Sequence, residues 1–309
     1  MVTTRRCPWP VRGMAARLAW AAVVAVFFLM TLGNVVSATG SGLACPDWPL
    51  CHGSVIPPLR ADVLIEYGHR LSALAATVLI LATSVTTLRS SAPAGLRRLA
   101  WLLPALLALQ IALGGITVLL KLPHLISTAH LVNALLILGG LIVLALGLRR
   151  PARPPAAGAD RTRRLARAGL VVLLVQLAVG GYVRHAGAGL ACPDFPLCSG
   201  DLLPIGWLAS VHWIHRWLGV LLLGVFVHLA LAGRTIATRL VAALAVAQVS
   251  LGIAAVLLQL APPVRAAHAA VGYALWATLV WASVEAGCWR PAGAPTAHPG
   301  ADRKAAHAA

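Results

Sequence analysis

The chain has 309 residues, 60% of them hydrophobic and only 11% charged, against roughly 25% charged in an ordinary soluble domain. Its 25 Lys plus Arg outnumber 8 Asp plus Glu, for a formal charge of +17. So much apolar surface exceeds what one water-facing core can bury, which excludes a soluble globular enzyme and a disordered tail protein. The positive charge falls between long apolar runs instead of forming a basic stripe beside a packed domain, so it does not mark a nucleic-acid binder.

Crossing the hydrocarbon core takes about 20 apolar residues at 1.5 Å each. Eight segments meet this, at 18–36, 68–88, 99–120, 129–148, 165–183, 214–232, 240–260 and 266–286. The expected fold is an all-α membrane protein. Val36-Ser37-Ala38 resembles a signal-peptidase site, but the preceding run is too long for a signal h-region and an equivalent helix recurs mid-chain, so span one is read as retained. Residues 151–160, rich in Pro, Ala and Gly, read as a linker between a first half (1–150) and a second (161–289). The tail 290–309 reads as disordered. Nineteen of the 25 basic residues sit at the termini or in the connections after spans two, four and six, the densest cluster running from Arg149 to Arg167. By the positive-inside rule both termini are cytoplasmic, and the connections after spans one, three, five and seven are external.

The chain repeats itself. Thr39-Gly-Ser-Gly-Leu-Ala-Cys-Pro-Asp-Trp-Pro-Leu-Cys51 returns as Ala186-Gly-Ala-Gly-Leu-Ala-Cys-Pro-Asp-Phe-Pro-Leu-Cys198. Glu66-Tyr67-Gly68-His69-Arg70 matches His212-Trp213-Ile214-His215-Arg216. Gln110 to Gly114 with His130 matches Gln248 to Gly252 with His268. Two tandem four-helix bundles follow, and an even span count keeps both in one orientation, related by a pseudo-two-fold axis along the membrane normal.

Four histidines recur: His69, His130, His215 and His268, each near the external end of an even-numbered helix. An ionisable side chain inside a membrane helix faces the bundle interior with a partner. A lone histidine there reads as a hydrogen-bonded packing residue, but two per half at matched depth suit a flat cofactor with one imidazole on each face of its iron. Heme is the cofactor that fits such a bundle, one site per half. Zinc would draw four ligands to one point, with Cys or carboxylate among them. Three residues before His69 stands Glu66, where the second half has His212. Positions i and i+3 share a helix face, so Glu66 points toward the pocket of His69. There it could move protons or stabilise a developing cation, or simply pair with Arg70. The asymmetry suggests a chemical site in the first half and a redox or structural heme in the second.

Cys45/Cys51 and Cys192/Cys198 lie in external loops where oxidation persists, at a spacing compatible with disulfides. A structural and a redox-active disulfide are both open readings. His52 beside Cys51 is a faint metal signal. Cys7 and Cys288 read as free cytoplasmic thiols. Arg70 and Arg216 follow a proposed ligand each and could pair with a heme propionate or snorkel at a helix end. His124, His185 and His228 have no repeat partners and read as packing or solvent-exposed residues.

Gly-Ser-Gly-Leu-x-Cys-Pro-Asp-Trp-Pro-x-Cys, Glu-x-x-His-Arg on span two and the two-fold-repeated eight-span chain together resemble the heme A synthase family, over nearly all of residues 15–288. The resemblance implies oxidation of the C8 methyl of heme O to a formyl group by successive hydroxylations, the second giving a hydrate that loses water, to supply cytochrome c oxidase. It implies Glu66 as catalytic carboxylate, His69 and His130 flanking the substrate heme, and His215 and His268 holding a permanent heme b. It also implies Cys45–Cys51 and Cys192–Cys198 as the family's two external pairs, in a bacterial inner membrane. Heme O and the lipid bilayer are the implied partners, with the heme O-producing farnesyltransferase, an oxidase assembly factor or a second copy of the chain as further candidates. Two other classes compete: a diheme electron-transfer protein coupling quinone to the external disulfides, which has no need of Glu66, and a small-solute transporter with histidine proton relays, which would hold no heme.

Overall fold

The computed structural model describes residues 9–149 and 159–289. Most of the expected linker, the tail 290–309 and Cys7 lie outside them. Eight α-helices follow in order: α1 (Trp9–Ala38), α2 (Ala61–Arg89), α3 (Ala94–Leu119), α4 (His124–Arg149), α5 (Ala159–His185), α6 (Trp207–Gly233), α7 (Ile236–Leu257) and α8 (Pro262–Glu285). All eight are long and apolar enough to cross a membrane. Among the described residues there is no strand, only isolated bridges at Cys51–Ser54 and Cys198–Asp201.

The helices outrun the apolar segments that announced them. α1 begins at Trp9, α2 at Ala61 and α6 at Trp207, and α5 starts at Ala159, inside the stretch read as linker. A hydropathy window counts only residues that tolerate hydrocarbon, whereas a backbone entering lipid gains by staying hydrogen-bonded through the interface. The added turns therefore carry the polar residues Arg12, Asp62, Glu66 and Arg163. Arg12 uses its turn to donate to the Leu148 and Gly147 carbonyls at the end of α4. Such carbonyls have no partner within their own helix.

Each half closes on itself. α1 packs on α2, α2 on α3, α3 on α4 and α4 back on α1, and α5 to α8 close in the same way. The halves meet through α4 against α8, α4 against α5 and α1 against α8, a pattern that maps onto itself when α1–α4 are exchanged for α5–α8. α4 is consequently the most buried span. Its Leu135, Leu138, Leu141 and Leu144 are fully enclosed and join Leu103, Phe226, Leu279 and Val280 in one core. At the α4–α8 contact the Trp276 indole donates to the Leu135 carbonyl at 2.8 Å, and Gly139 leaves the room this needs. Large apolar side chains such as Val24, Phe28, Trp101, Val171 and Leu231 point outward. That is where a bilayer replaces water and outward apolar groups cost nothing.

Four connections are tight, and two, 39–60 and 186–206, are long and carry the repeated cysteine motif. Gly40 and Gly187 take φ of 72° and 70°, a left-handed turn that favours glycine. Gly189 leaves room for Leu260, from the turn before α8, which would stand 2.9 Å from a Cβ there; Leu122, before α4, packs on Gly42 in the same way at ordinary contact distance.

Trp276→Ala should cost about 3–5 kcal/mol, as for other buried aromatic truncations. It should lower the thermal midpoint in detergent clearly, whereas Trp101→Ala on the outer face should leave it unchanged.

Candidate functional site

Each repeated histidine sits at a matched depth. His69 and His215 lie eight residues into α2 and α6, and His130 and His268 six residues into α4 and α8. Each is received by a glycine of the preceding odd-numbered helix. A Cβ at Gly33 would stand 2.8 Å from the His69 ring, at Gly114 3.2 Å from His130, at Gly180 2.6 Å from His215 and at Gly252 3.2 Å from His268. A larger residue at Gly33 or Gly180 would push the imidazole out of place, and one at Gly114 or Gly252 would press it by a few tenths of an ångström. The Gln110 and Gln248 amides reach Nε2 of His130 and His268, both at 3.2 Å. With the amide as donor, the ring carries its proton on Nδ1 and its Nε2 lone pair is held by the amide, which a metal would have to displace. Nδ1 of all four histidines is buried without a hydrogen-bond partner.

The histidines come together as two pairs. The rings of His215 and His268 are 6.5 Å apart between centroids, and His69 and His130 hold the matching positions in the first half. A cavity of about 310 Å³ opens around the second pair, lined also by Gly180, Gly252, Arg184, Arg265 and Tyr273. That volume lies within the roughly 300–1,000 Å³ of small-molecule sites. Among the described residues no three His, Cys, Asp or Glu side chains converge as for a bare metal ion.

The cysteine loops roof these pairs. Cys45–Cys51 and Cys192–Cys198 are disulfides, all four residues enclosed. Asp47 accepts from the N–H groups of His52 and Gly53 at 2.7 Å each, and Asp194 does the same for Ser199 and Gly200. The Gly53 N–H, chiefly, holds the Asp47 carboxyl below its usual range. Trp48 packs on Gly115, next to the glycine that receives His130, and Phe195 lines the second cavity. His52 turns its ring to the Ala44 carbonyl, at 2.9 Å.

Arg70 and Arg216 do something neither sequence reading anticipated. Arg70 gives its four terminal N–H groups to the carbonyls of Asp47, Leu50 and Cys45 and to Glu66. Arg216 takes the Asp194, Leu197 and Cys192 carbonyls and contacts His212. Each clamps its disulfide loop to the helix that carries a repeated histidine.

Glu66 is buried, with one oxygen 2.6 Å from Arg70 and the other accepting the Cys45 N–H at 2.8 Å. Pairing with Arg70 is thus real, and it turns the carboxylate toward the loop. His212 stands in the same place with contacts of 3.3 Å to Cys192 N and 3.2 Å to Arg216 Nε. A carboxylate accepts both donors at once, whereas a neutral imidazole has a single acceptor nitrogen. The two halves therefore differ at the one position that couples loop to helix. Of the unmatched histidines, His124 stacks edge-on with Tyr182, His185 meets Thr128, and His228 meets Arg161. Cys288 is a free thiol whose pKa is pushed up by burial.

The sequence model of the cytochrome oxidase assembly protein family (COX15-CtaA) matches residues 16–64 and 59–280. A heme A synthase of Rhizorhabdus wittichii is 30% identical over 85% of this chain and 92% of its own length. The chain belongs to the heme A synthase family. A heme A synthase of Erythrobacter litoralis is 29% identical over 87% of this chain and 96% of its own. One from Bacillus licheniformis is 30% identical, with 63% of this chain matching 65% of its length.

The residues present fit the heme that this family implies. An iron about 2 Å from each of two imidazoles leaves roughly 6 Å between ring centroids, close to the His215–His268 separation. The glycine cradles set the four rings at matched positions, as a group held between them would require. Sequence reading missed Gly33 and Gly180, although both align across the repeat, and it did not single out Arg184 and Arg265.

Two expectations follow. Gly180→Ala should weaken heme retention by about tenfold, on the scale of overpacking penalties, with the fold kept; heme absorbance per protein measures it. Asp47, with its pKa lowered in the folded loop, supports that loop fully above its usual value of 3.8 and loses this support only as pH falls through the lowered value. Phosphine reduction of Cys45–Cys51, followed by mass spectrometry, should stay slow from neutral pH down to about 4 and quicken below. Asp47→Asn should be fast throughout and lack that step.

Proposed function

We propose that the chain performs its family's reaction, heme O to heme A, in the first half, using a resident heme b in the second. The single observation that carries this assignment is the asymmetry of a repeated site: matched histidine pairs and glycine cradles, with a buried carboxylate in one half only. As a heme A synthase the protein is an oxidoreductase of heme A biosynthesis. The C8 methyl of heme O is oxidised to a formyl group by successive hydroxylations, the second product being a hydrate that loses water.

In this reading His69 and His130 grip the substrate and Gly33 and Gly114 fix where their rings stand. Glu66 lies at the roof of that site with its charge balanced by Arg70, so it can take a proton from the oxidised carbon's hydroxyl or return one to the loop side. Trp48 and the Cys45–Cys51 loop cover the site and limit water. His215 and His268 would hold the heme b, which supplies one-electron redox chemistry when bound. Both termini lie on the cytoplasmic side by the arginine distribution, in a bacterial inner membrane, and the two bundles are related by an axis along its normal. A farnesyltransferase that makes heme O is the natural donor, since the substrate is insoluble in water.

Glu66→Gln tests the assignment. Expressed in cells that make heme O, it should bind heme and keep both disulfides, yet form heme A about 10²–10⁴-fold more slowly. Undiminished heme A in extracted and chromatographed hemes would refute the role of Glu66.

A further inference from the structure

Three guanidiniums line the second cavity with His215 and His268; that of Arg216 gives its terminal N–H groups to loop carbonyls, which leaves Arg184 and Arg265. Arg184, near the end of α5, donates to both the side-chain and the backbone oxygen of Asn34, the latter at 2.8 Å. Arg265, at the start of α8, donates to the Ala38 carbonyl at 2.8 Å, and its Nε is buried with no partner. These acceptors are all neutral. The ion pairs of Asp62, Glu66 and Asp160 are with Arg60, Arg70 and Arg163, and no carboxylate is among the residues that line the cavity. Two half-buried like charges at the external end of the bundle, with no carboxylate lining their cavity, are costly, and the cost points to an anion that binds there.

The first half lacks this feature. Gly33 aligns with Gly180 and Gly40 with Gly187, so Arg184 corresponds to Ser37; Gly114 aligns with Gly252 and His130 with His268, so Arg265 corresponds to Ser127. Ser37 is exposed, and the Ser127 hydroxyl is buried without a partner. Tyr273, the phenol in the second cavity, corresponds to Leu135, which is core.

We propose that Arg184 and Arg265 clamp the two carboxylates of the heme held by His215 and His268. Their replacement by serine in the first half is then what makes one heme resident and the other exchangeable. The inference rests on the heme reading of the histidine pairs. Heme carries two propionates, and guanidinium is the side chain that pairs a carboxylate through two parallel N–H groups. Both arginines are anchored at α1 through Asn34 and Ala38, so they are oriented before the ligand arrives and little rotamer freedom is lost on binding. A substrate that must leave as product gains nothing from such a clamp, whereas a permanent cofactor does.

The test uses the full chain with His69→Ala and His130→Ala, so that only the second site loads. Heme-depleted protein is reconstituted with hemin or with hemin dimethyl ester, whose carboxylates are masked, and dissociation to a heme scavenger is timed. The parent should release hemin about tenfold to a hundredfold more slowly than the ester, the range for charge-assisted hydrogen bonds. Adding Arg184→Ser and Arg265→Ser should abolish that preference by speeding hemin release while leaving ester release unchanged. A parent that does not discriminate, or a variant that loses both ligands equally fast, would overturn the clamp, the latter by showing a mere brace to α1. His215→Ala with His268→Ala in the same background separates the underlying reading. If hemin is still bound with an unchanged spectrum, the histidine assignment fails and the clamp falls with it.

Discussion

An imidazole can stand inside an apolar helix bundle only where a neighbouring helix comes close enough to hold it and yet leaves it room. The rest of this structure follows from how that constraint is met. Gly33 and Gly180 each remove a Cβ that would collide with a histidine ring one helix away, and Gly114 and Gly252 one that would crowd it. Because the same solution appears four times, α1 must lie on α2, α3 on α4, α5 on α6 and α7 on α8 at fixed register. Glycine in a helix interior costs roughly 0.5–1 kcal/mol relative to alanine, so four at equivalent places mark rings that matter more than helix stability.

Loop and helix are joined by a second recurring device. A guanidinium at the residue after each even-helix histidine, His69 or His215, gathers loop carbonyls that would otherwise lack donors, and so seats a closed disulfide loop over the site. Into this frame the halves insert different residues at one position. Glu66 satisfies Arg70 and Cys45 together, while His212 makes longer contacts that it cannot all satisfy as a neutral ring. A frame duplicated in full, with its chemistry varied at Glu66/His212 and at Ser37/Arg184 and Ser127/Arg265, is how one bundle design yields two unlike sites.

Much of this was legible in the sequence, because hydropathy and repetition are local signals. Eight spans, two disulfide loops, the matched histidines and the odd Glu66 all came from residue spacing. What escaped was whatever depends on a partner far along the chain. Helix ends ran past the apolar windows, since a polar side chain such as Arg12 is welcome in a helix when a carbonyl 136 residues away needs it. Arg70 and Arg216 look like ligand contacts next to a histidine, and only the folded loop reveals the carbonyls that claim them. Arg184 and Arg265 vanished into a charge count, although their absence from the aligned positions in the first half was there to be seen.

The central claim is that each histidine pair is a seat for heme, with the second permanently filled. A density map of the full-length protein purified from heme-replete cells in a lipid nanodisc addresses it directly. Iron should lie between His215 and His268, with heme carboxylates turned toward Arg184 and Arg265 and each ring still against its glycine. A map in which the His215 and His268 rings stand as close as they do here with no iron between them would contradict the account.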